Sequence, residues 1–340
     1  MSIKNPSSVF IFTMFFCPFW SFAQTRWINV DSAFAPLPVS VQVFKTIDSL
    51  DGKPFIAYYA AALLKDLQLD FASDTTHNRR FTPKQFFDRD DQPLLTVNCT
   101  FFSYETNRSI NVVIKNGKMV AFNNQTIPMH GKDTFQYRHP LGSAIGISKN
   151  RQADIAWLLT DSSNKFAYAS QLPVSTVIKD SLLNPSFEYL ENNNTLFVDG
   201  NVTGPKYKPL PFKKWKMKTA VGGGPVLVQN GKIKITNEEE LKFTGKAIND
   251  KHPRTCMGYT ADGRLIIMVI EGRFPGIAEG ASLAQEARLL VELGCVEALN
   301  LDGGGSSCML INGKETIKPS EKGLERPVPA VFIIKTDQKK

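Results

Sequence analysis

Apolar and polar residues alternate along most of the chain, and short turns interrupt the alternation. Three segments repeat one arrangement, an alternating run on each side of Asn-Gly, over 112–122, 226–235 and 308–317. Asn-Gly between such runs is the strongest short-range signal for a β-hairpin, because both residues tolerate positive φ. The segment 259–272 predicts a fourth hairpin around Asp-Gly. The turns have no fixed spacing, which excludes a propeller or a solenoid.

Further strands are predicted over 38–48, 54–62 and 94–98, whereas helical periodicity is scarce. Thr82 followed by proline marks one short helix, and the apolar face of 282–293 marks a second. Strands therefore dominate, and the predicted class is α+β, with mixed or antiparallel sheets built from hairpins and a few packed helices. No clean boundary divides the chain, so we expect a single large domain of which 24–80 supplies the N-terminal strands.

The first 23 residues have the pattern of a signal peptide. Lys4 supplies a positive charge, residues 9–22 are mostly apolar, and 21–23 form a small-x-small cleavage site. The alternative is an uncleaved anchor, which the short apolar length and Pro18 disfavour. We therefore expect an exported protein, in the periplasm, the cell envelope or the extracellular space, with no stable membrane insertion after cleavage.

The formal net charge of +8 is concentrated in one place. Residues 206–218 hold six lysines and no acidic residue, so the remainder of the mature chain is close to neutral. A nucleic-acid-binding domain would carry its positive charge over a broad face. Nucleic acid is therefore not an expected partner.

The four cysteines after the leader follow no zinc-binding spacing, and none of the histidines forms a metal-binding pair. If 296–301 and 307–311 form a hairpin, Cys308 faces the region of Asn300 rather than Cys295. We therefore expect buried free thiols in place of a local disulfide. A divalent cation such as calcium stays open, because scattered oxygen ligands leave no pattern outside known loops. No other cofactor is indicated.

The sharpest candidate for chemistry lies in 298–310. A predicted strand ends at Asp302, and the next residues are Gly303, Gly304, Gly305, Ser306 and Ser307. Successive glycines allow backbone N–H groups to approach an anion as a concave nest, with the two hydroxyls as further donors. The alternative is a tight glycine turn with a capping aspartate.

Three other positions combine reactive groups with strand ends. Arg254 could bind phosphate or carboxylate through two hydrogen bonds, although a lone arginine is more often a surface charge. Glu271 ends an apolar strand before a Gly/Pro-rich loop of the kind that closes over ligands. Asn98 ends a buried strand before two phenylalanines. The alternative for Glu271 is a solvated strand end, and the alternative for Asn98 is an asparagine that only terminates its strand.

Five of these segments occur in an order that resembles the phosphodiester glycosidase family over about residues 80–335. Each motif alone is weak, but the ordered set with its Asp-Gly-Gly-Gly-Ser-Ser loop is specific. The resemblance assigns 81–336 to a phosphodiester glycosidase domain. The segments are NCTFFS (98–103), GGGPVLVQNGK (222–232), HPRTCMGYTADGRL (252–265), GASLAQEARLLVELG (280–294) and NLDGGGSS (300–307).

The resemblance implies hydrolysis of the C1–O bond of a sugar-1-phosphodiester, with an N-acetylglucosamine-like sugar and a glycan or sugar-phosphate as substrate. Asp302 would be the principal catalytic carboxylate and Glu271 its partner, stabilising oxocarbenium charge or activating water. Arg254 and the nest would hold the phosphate. The full substrate-binding set is Asn98, His252, Arg254, Gln285, Gly303, Gly304, Gly305, Ser306 and Ser307.

Gln285 departs from the family pattern, because many relatives have an acidic residue there. Glu286 cannot simply replace it, since adjacent helix residues point about 100° apart. This departure motivates an alternative function, a non-catalytic carbohydrate-binding or exopolysaccharide-assembly protein with the same cleft. A third hypothesis is a phosphodiesterase that attacks phosphorus in place of carbon.

Overall fold

The computed structural model describes residues 25–128, 136–173, 175–179, 195–196 and 210–336. The predicted leader lies outside these residues. The described chain is mostly sheet with few helices, which confirms the expected class in outline. None of its helices is long and apolar enough to cross a membrane.

The strands and helices, numbered in chain order, have the following bounds. The strands are β1 (Ile28–Asn29), β2 (Val41–Thr46), β3 (Ser49–Leu50), β4 (Lys53–Pro54), β5 (Ala57–Leu63), β6 (Leu69–Thr75), β7 (Leu95–Asn98), β8 (Val113–Lys115), β9 (Lys118–Ala121), β10 (Ile127–Pro128), β11 (Gln136–Pro140), β12 (Gly142–Ser148), β13 (Ala153–Leu159), β14 (Ala167–Ser170), β15 (Ser175–Lys179), β16 (Thr195–Leu196), β17 (Leu210–Pro211), β18 (Lys213–Trp215), β19 (Met217–Gly222), β20 (Val226–Gln229), β21 (Lys232–Ile233), β22 (Arg254–Thr260), β23 (Arg264–Ile270), β24 (Cys295–Asn300), β25 (Met309–Ile311), β26 (Lys314–Glu315) and β27 (Ala330–Thr336). The helices are α1 (Pro83–Arg89), α2 (Asn237–Glu240) and α3 (Leu283–Glu292), with 3-10 turns at Asp31–Phe34, Gly245–Ile248 and Gly304–Ser306.

Three sheets form the body of the protein, and every strand pair in the described part of the chain is antiparallel. The eight-stranded sheet has the order β1-β2-β5-β23-β22-β24-β20-β21. The seven-stranded sheet has the order β18-β14-β13-β12-β19-β8-β9, and the five-stranded sheet the order β26-β25-β7-β27-β6. Of the mixed or antiparallel sheets expected from the sequence, the structure thus has the antiparallel kind.

The three Asn-Gly hairpins are confirmed. Both turn residues adopt positive φ in each, a conformation that matches the right-handed twist of the flanking strands. The turns are Asn116-Gly117 (φ 51° and 77°), Asn230-Gly231 (53° and 69°) and Asn312-Gly313 (49° and 75°). The hairpin of β22 and β23 is also present.

Both predicted helices begin at capping boxes. Thr82 accepts a hydrogen bond from the Gln85 N–H, and the Gln85 side chain accepts one from the Thr82 N–H. Ser282 and Gln285 make the same reciprocal pair at the start of α3. Such a pair satisfies two backbone donors that the first turn of a helix leaves free.

The eight-stranded sheet is buried on both faces. Apolar residues of α3, such as Leu283 and Leu290, pack on one face against Ile266 and Met268. The other face contributes to the largest core, which it shares with the five-stranded and seven-stranded sheets. The N-terminal strands belong to this arrangement, because β2 pairs with β5 and β5 with β23.

The hairpin considered for 296–301 and 307–311 is wrong. The strand β24 lies in the eight-stranded sheet and β25 in the five-stranded sheet, so the chain crosses between sheets through 301–308. Cys99, Cys256, Cys295 and Cys308 are nevertheless buried and free, as expected. Burial raises the pKa of each of these thiols.

Candidate active site

The strands β7, β23 and β24 end, and β22 begins, at one rim of the protein. The crossing segment 301–308 runs along this rim and is anchored by backbone hydrogen bonds to both neighbouring sheets. Leu301 N donates to Thr255 O and Asp302 N donates to Cys99 O, each at 2.8 Å. Gly304 N donates to Pro253 O at 2.8 Å. The position of Asp302 is therefore fixed by β7 on one side and β22 on the other.

Asn98 holds this arrangement together from inside. Its side chain is fully buried, and Nδ2 donates to the Asp302 carbonyl oxygen at 2.6 Å. Oδ1 accepts from Thr255 Oγ1 at 2.9 Å and from Cys308 N at 3.1 Å. Thr255 Oγ1 also lies 3.2 Å from Ser307 Oγ, which places the Ser307 hydroxyl in the same buried network. Asn98 and Ser307 thus support the turn, although the sequence predicted that they contact substrate.

Asp302 and Ser306 are the reactive groups of the turn. Asp302 Oδ2 and Ser306 Oγ are both buried, and neither makes a hydrogen bond of good geometry with the described residues, although the Ser306 hydroxyl lies close to the Asp302 carboxyl. Burial raises the pKa of Asp302 to about 7, while Ser306 and Arg326 act in the opposite direction. Buried polar atoms are nearly always paired, so two such atoms on one turn indicate a place for a ligand or water.

Two neighbouring atoms are unpartnered in the same way. Thr100 Oγ1 lies on the segment whose Cys99 carbonyl anchors Asp302, and Asn300 Oδ1 lies two residues before Asp302. Both atoms are buried. Four of the unpaired buried polar atoms of the described residues therefore lie on or beside the Asp302 turn, while others, such as Trp27 Nε1 and Thr219 Oγ1, lie elsewhere.

The three glycines allow other groups to approach the turn closely. A Cβ at Gly303 would lie 2.7 Å from Pro253 O. A Cβ at Gly304, whose φ is +62°, would lie 3.0 Å from Arg273 Nη2. A Cβ at Gly305 would lie only 2.1 Å from Arg326 Nη2. Two guanidinium groups therefore lie directly against the turn.

Three of the five N–H groups of the predicted backbone anion nest are already used inside the protein. Gly304 N, Ser306 N and Ser307 N donate to the carbonyl oxygens of Pro253, Gly303 and Gly304, because the segment forms a 3-10 turn. Those N–H groups are consequently occupied. The positive charge at the turn comes from Arg273 and Arg326 instead.

Arg273 has an unusual backbone. Its φ is +67°, in a region that residues other than glycine seldom adopt. The residue is exposed, and its guanidinium makes no ion pair within the described residues. Local strain of this kind concentrates at functional sites. Arg326 differs, because its Nε donates to Glu321 Oε2 at 2.6 Å.

Arg254 lies deeper than the sequence suggested. It is 2% exposed, with Nε donating to Ala281 O at 2.9 Å and Nη2 to Asp250 O at 3.3 Å. Glu286 Oε2 lies 4.0 Å from its Nε. These contacts place Arg254 behind the turn, where its charge acts over a distance, and leave little of the guanidinium for direct phosphate binding.

Glu286 was set aside by the sequence analysis, yet it is a second buried carboxyl near the site. It is 0% exposed, and its carboxyl faces the Cys256 thiol and the Arg254 guanidinium without a hydrogen bond of good geometry to the described residues. Burial raises its pKa to about 7, and Arg254 opposes that rise.

Two other predicted site residues, Glu271 and His252, lie at the same rim. Glu271 is nearly buried, and its Oε2 accepts from Lys318 N at 2.8 Å. His252 bridges Ala281 through its backbone, and burial together with Arg254 and Arg273 lowers the pKa of its ring.

Gln285 is engaged elsewhere. Its Oε1 accepts from Ser282 N at 3.0 Å, and its Nε2 donates to Asp51 Oδ2 at 2.7 Å. The glutamine thus completes the capping box of α3 and ties that helix to the turn between β3 and β4.

Sequence reasoning missed the roles of Arg273, Arg326 and Glu286. Arg326 lies in an irregular segment without a motif, so only the tertiary structure brings it to Gly305. The described residues gather no group of three His, Cys, Asp or Glu side chains that could hold a metal ion. They therefore assign no site to the calcium ion that the sequence left open.

The fold and the turn both have counterparts among known proteins. The family model for phosphodiester glycosidase matches residues 160–335, which include Arg254, Glu271 and the Asp302 turn. The bovine N-acetylglucosamine-1-phosphodiester alpha-N-acetylglucosaminidase is 32% identical over 103 residues, covering 28% of this chain and 19% of the relative. The SPbeta prophage-derived uncharacterized protein YomE of Bacillus subtilis is 38% identical over 87 residues, covering 26% and 13%. The chain therefore matches no more than about a fifth of the length of these curated relatives.

Solved structures extend the likeness of the fold to most of the chain. A hypothetical protein from Synechocystis has a TM-score of 0.60 at 12% identity, covering 87% of this chain and 62% of that one. The zebrafish N-acetylglucosamine-1-phosphodiester alpha-N-acetylglucosaminidase catalytic domain, auto-inhibited by its pro-peptide, has a TM-score of 0.56 at 18% identity. That match covers 88% of this chain and 85% of the zebrafish domain. Since the family model spans more than half of its residues, the chain belongs to the phosphodiester glycosidase family.

Proposed function

We propose that this protein is an exported hydrolase that cleaves the C1–O bond of a sugar-1-phosphodiester and releases a sugar and a phosphomonoester. One observation supports this proposal above the others. Asp302 Oδ2 is buried without a partner among the described residues, on a turn that two guanidinium groups flank. A carboxylate for the anomeric carbon thus lies beside cations for a phosphate.

The cations suit the departing group. A phosphomonoester is a good leaving group, so its departure needs stabilisation of negative charge more than protonation by a strong acid. Arg273 and Arg326 can each donate more than one N–H to phosphate oxygens. Arg254 adds positive charge from behind the turn.

Asp302 suits the other side of the scissile bond. Glycosyl transfer passes through an oxocarbenium-like state, which a nearby carboxylate stabilises directly or by activating water. A pKa of about 7 keeps a substantial fraction of Asp302 ionised at neutral pH and makes it an effective base. Ser306 Oγ, which lies close to the Asp302 carboxyl, can hydrogen-bond a sugar or phosphate oxygen. Glu271 remains the predicted partner carboxylate.

The glutamine at position 285, which motivated the non-catalytic alternative, has a structural role. Gln285 occupies the third position of a capping box, where glutamate and glutamine serve equally well. The absence of an acid at 285 therefore no longer argues for a lost activity. The exported location rests on the leader sequence, and substrates in cell-envelope or exopolysaccharide glycans would be consistent with it.

Sugar release from UDP-N-acetylglucosamine and from the methyl phosphodiester of N-acetylglucosamine 1-phosphate tests the proposal. We expect turnover by the wild type and a loss of at least 100-fold in folded Asp302→Asn. Asp88→Asn, the same chemical change at an exposed position on α1, is the matched control. Absence of turnover on every sugar phosphodiester tried, with sugar binding retained, would favour the binding protein.

Hydrolysis in heavy-oxygen water locates the bond that breaks. Label in the released sugar means attack at C1, as proposed. Label in the released phosphate would mean attack at phosphorus. The protein would then be a phosphodiesterase, as in the third hypothesis.

A further inference from the structure

A cavity of about 240 Å³ lies beside the segment that follows β7, the strand whose end holds Asp302 in place. Its walls include Phe101, Phe102, Asn124, Glu240 and Lys242. Phe101 follows the Cys99-Thr100 segment, whose Cys99 carbonyl binds the N–H of Asp302. The cavity is smaller than the roughly 300–1,000 Å³ of sites for drug-sized ligands. Its size therefore suits a single small ring.

Lys242 brings an uncompensated charge into this cavity. Its Nζ lies 5.5 Å from the centre of the Phe101 ring. No carboxylate oxygen of the described residues lies within 4.0 Å of Nζ, and none of their hydrogen bonds uses it as a donor. Burial lowers the pKa of Lys242, while Glu240 acts in the opposite direction. The side chain is only partly buried, so the ammonium faces the cavity, and an anion there would make the ion pair that the described residues leave unmade.

Glu240 is close to Lys242 in sequence but cannot serve as its partner. Its Oε1 accepts from Trp157 Nε1, Val226 N and Thr236 Oγ1 at 2.7–3.0 Å. Its Oε2 accepts from Ser143 N and Ser143 Oγ at 3.2 and 2.7 Å. Five donors thus hold the carboxylate in the cavity wall and saturate it.

The side chain of Lys242 is also held in place. A Cβ at Gly224 would lie 2.7 Å from Lys242 Cε, so the lysine stem packs directly on the glycine backbone. Gly224 is hydrogen-bonded in turn to Asn300, since Gly224 N donates to Asn300 O at 2.7 Å. The ammonium is therefore positioned from the same strand end that carries Asp302.

We infer that this cavity binds the glycosyl ring of the substrate and that Lys242 binds an anionic substituent on that ring. The inference rests on the proposed function for the identity of the ring. Phe101 and Phe102 supply an apolar wall for the C–H groups of a pyranose, and Lys242 supplies a charge that has no ion pair among the described residues. A carboxylate, as in a hexuronic acid, and a phosphate ester share the chemistry that would bind there.

Equilibrium binding of three monosaccharides tests the inference without requiring hydrolysis. The probes are methyl α-glucuronide, methyl α-glucoside 6-phosphate and neutral methyl α-glucoside, titrated calorimetrically. We expect at least one anionic probe to bind the wild type 10-fold or more tightly than the neutral one. The tighter of the two anionic probes identifies carboxylate or phosphate as the source of the charge.

Lys242→Met, which keeps the length of the stem, should abolish the preference, and Lys242→Arg should retain most of it. Lys232→Met, at an exposed lysine on β21, is the matched control. Equal binding of neutral and anionic sugars, binding of none of them, or a preference that survives in Lys242→Met would overturn the inference. Sugar release without anionic preference contradicts only this inference, and anionic preference without sugar release contradicts only the proposed function.

Discussion

Asn98 Nδ2 donates to the carbonyl oxygen of Asp302 at 2.6 Å and so fixes the backbone of the candidate catalytic residue from the end of a different sheet. The remaining acceptor of the amide is used by Thr255 and Cys308. All three bonds are made inside the protein. Asn98 therefore acts through Asp302 and is a positioning residue.

Replacement of Asn98 tests that role. Asn98→Ala removes three buried hydrogen bonds, and we expect the free energy of unfolding to fall by about 3 kcal/mol. Chemical denaturation measures the change. Asn249→Ala, at an exposed position, should alter stability by less than about 0.5 kcal/mol. A stable Asn98→Ala protein would show that the amide contributes little to holding the turn.

The raised pKa of Asp302 predicts a dependence of stability on pH. Burial raises the pKa to about 7 in the folded protein, whereas an unfolded aspartate titrates near ~3.9. Between these values the folded state keeps a proton that the unfolded state has lost, so this carboxyl makes stability fall as pH rises from about 4 to about 7. Asp302→Asn should therefore melt several degrees above the wild type at pH 8 and close to it at pH 4. Equal melting temperatures at pH 8 would contradict a desolvated carboxyl.

The same group predicts the pH profile of the proposed reaction. Since the ionised form of Asp302 acts on the anomeric carbon, kcat/KM should rise with pH and level off above an apparent pKa of about 7. Rates with the methyl phosphodiester between pH 5 and 9 measure this. A profile that falls through this range would assign Asp302 the role of a general acid.

Gly305 and Arg326 should be energetically coupled. A Cβ at Gly305 would lie 2.1 Å from Arg326 Nη2, so Gly305→Ala displaces the guanidinium from the turn. We expect Gly305→Ala and Arg326→Ala each to lower kcat/KM by at least 10-fold. In the Arg326→Ala background the added methyl group should have little further effect. Fully additive losses would show that the glycine serves the backbone alone.

Gln285→Glu tests the departure from the family pattern. Glutamate can fill the third position of the capping box, but it would lose the hydrogen bond to Asp51 and place two carboxylates together. We expect the rate of sugar release to stay within twofold of the wild type, with slightly lower stability. If the variant instead released sugar at least 10-fold faster, the idea that an acid is missing at this position would be restored.

The sequence predicted features that local chemistry determines. Asn-Gly dipeptides set positive φ, and Thr82 and Ser282 cap helices, whatever the rest of the chain does. It also identified the Asp302 turn as a candidate site, because three successive glycines between strands are typical of few structures other than a tight turn or an anion site. The hairpin considered after β24 does not form, because the choice between two sheets depends on distant strands.

The sequence failed to predict several residues of the site for one physical reason. Arg326, Glu286 and Lys242 carry no local signal, since an isolated charged residue is usually a solvated surface group. Their importance comes from burial and from the neighbours that folding supplies. Conversely, the sequence could not show that three of the five N–H groups expected in the nest donate to Pro253 and to the turn itself.

The anchoring of Asp302 between β7 and β22 has a consequence for how the protein would lose activity. The two strands belong to different sheets, so their spacing depends on the packing of the large core between them. A cavity-forming change at Val97 or Met257, both buried in that core, would let the sheets shift by a fraction of an ångström. Catalysis should then decline while the secondary structure is still intact, so that turnover would report the fit of the two sheets more sensitively than circular dichroism.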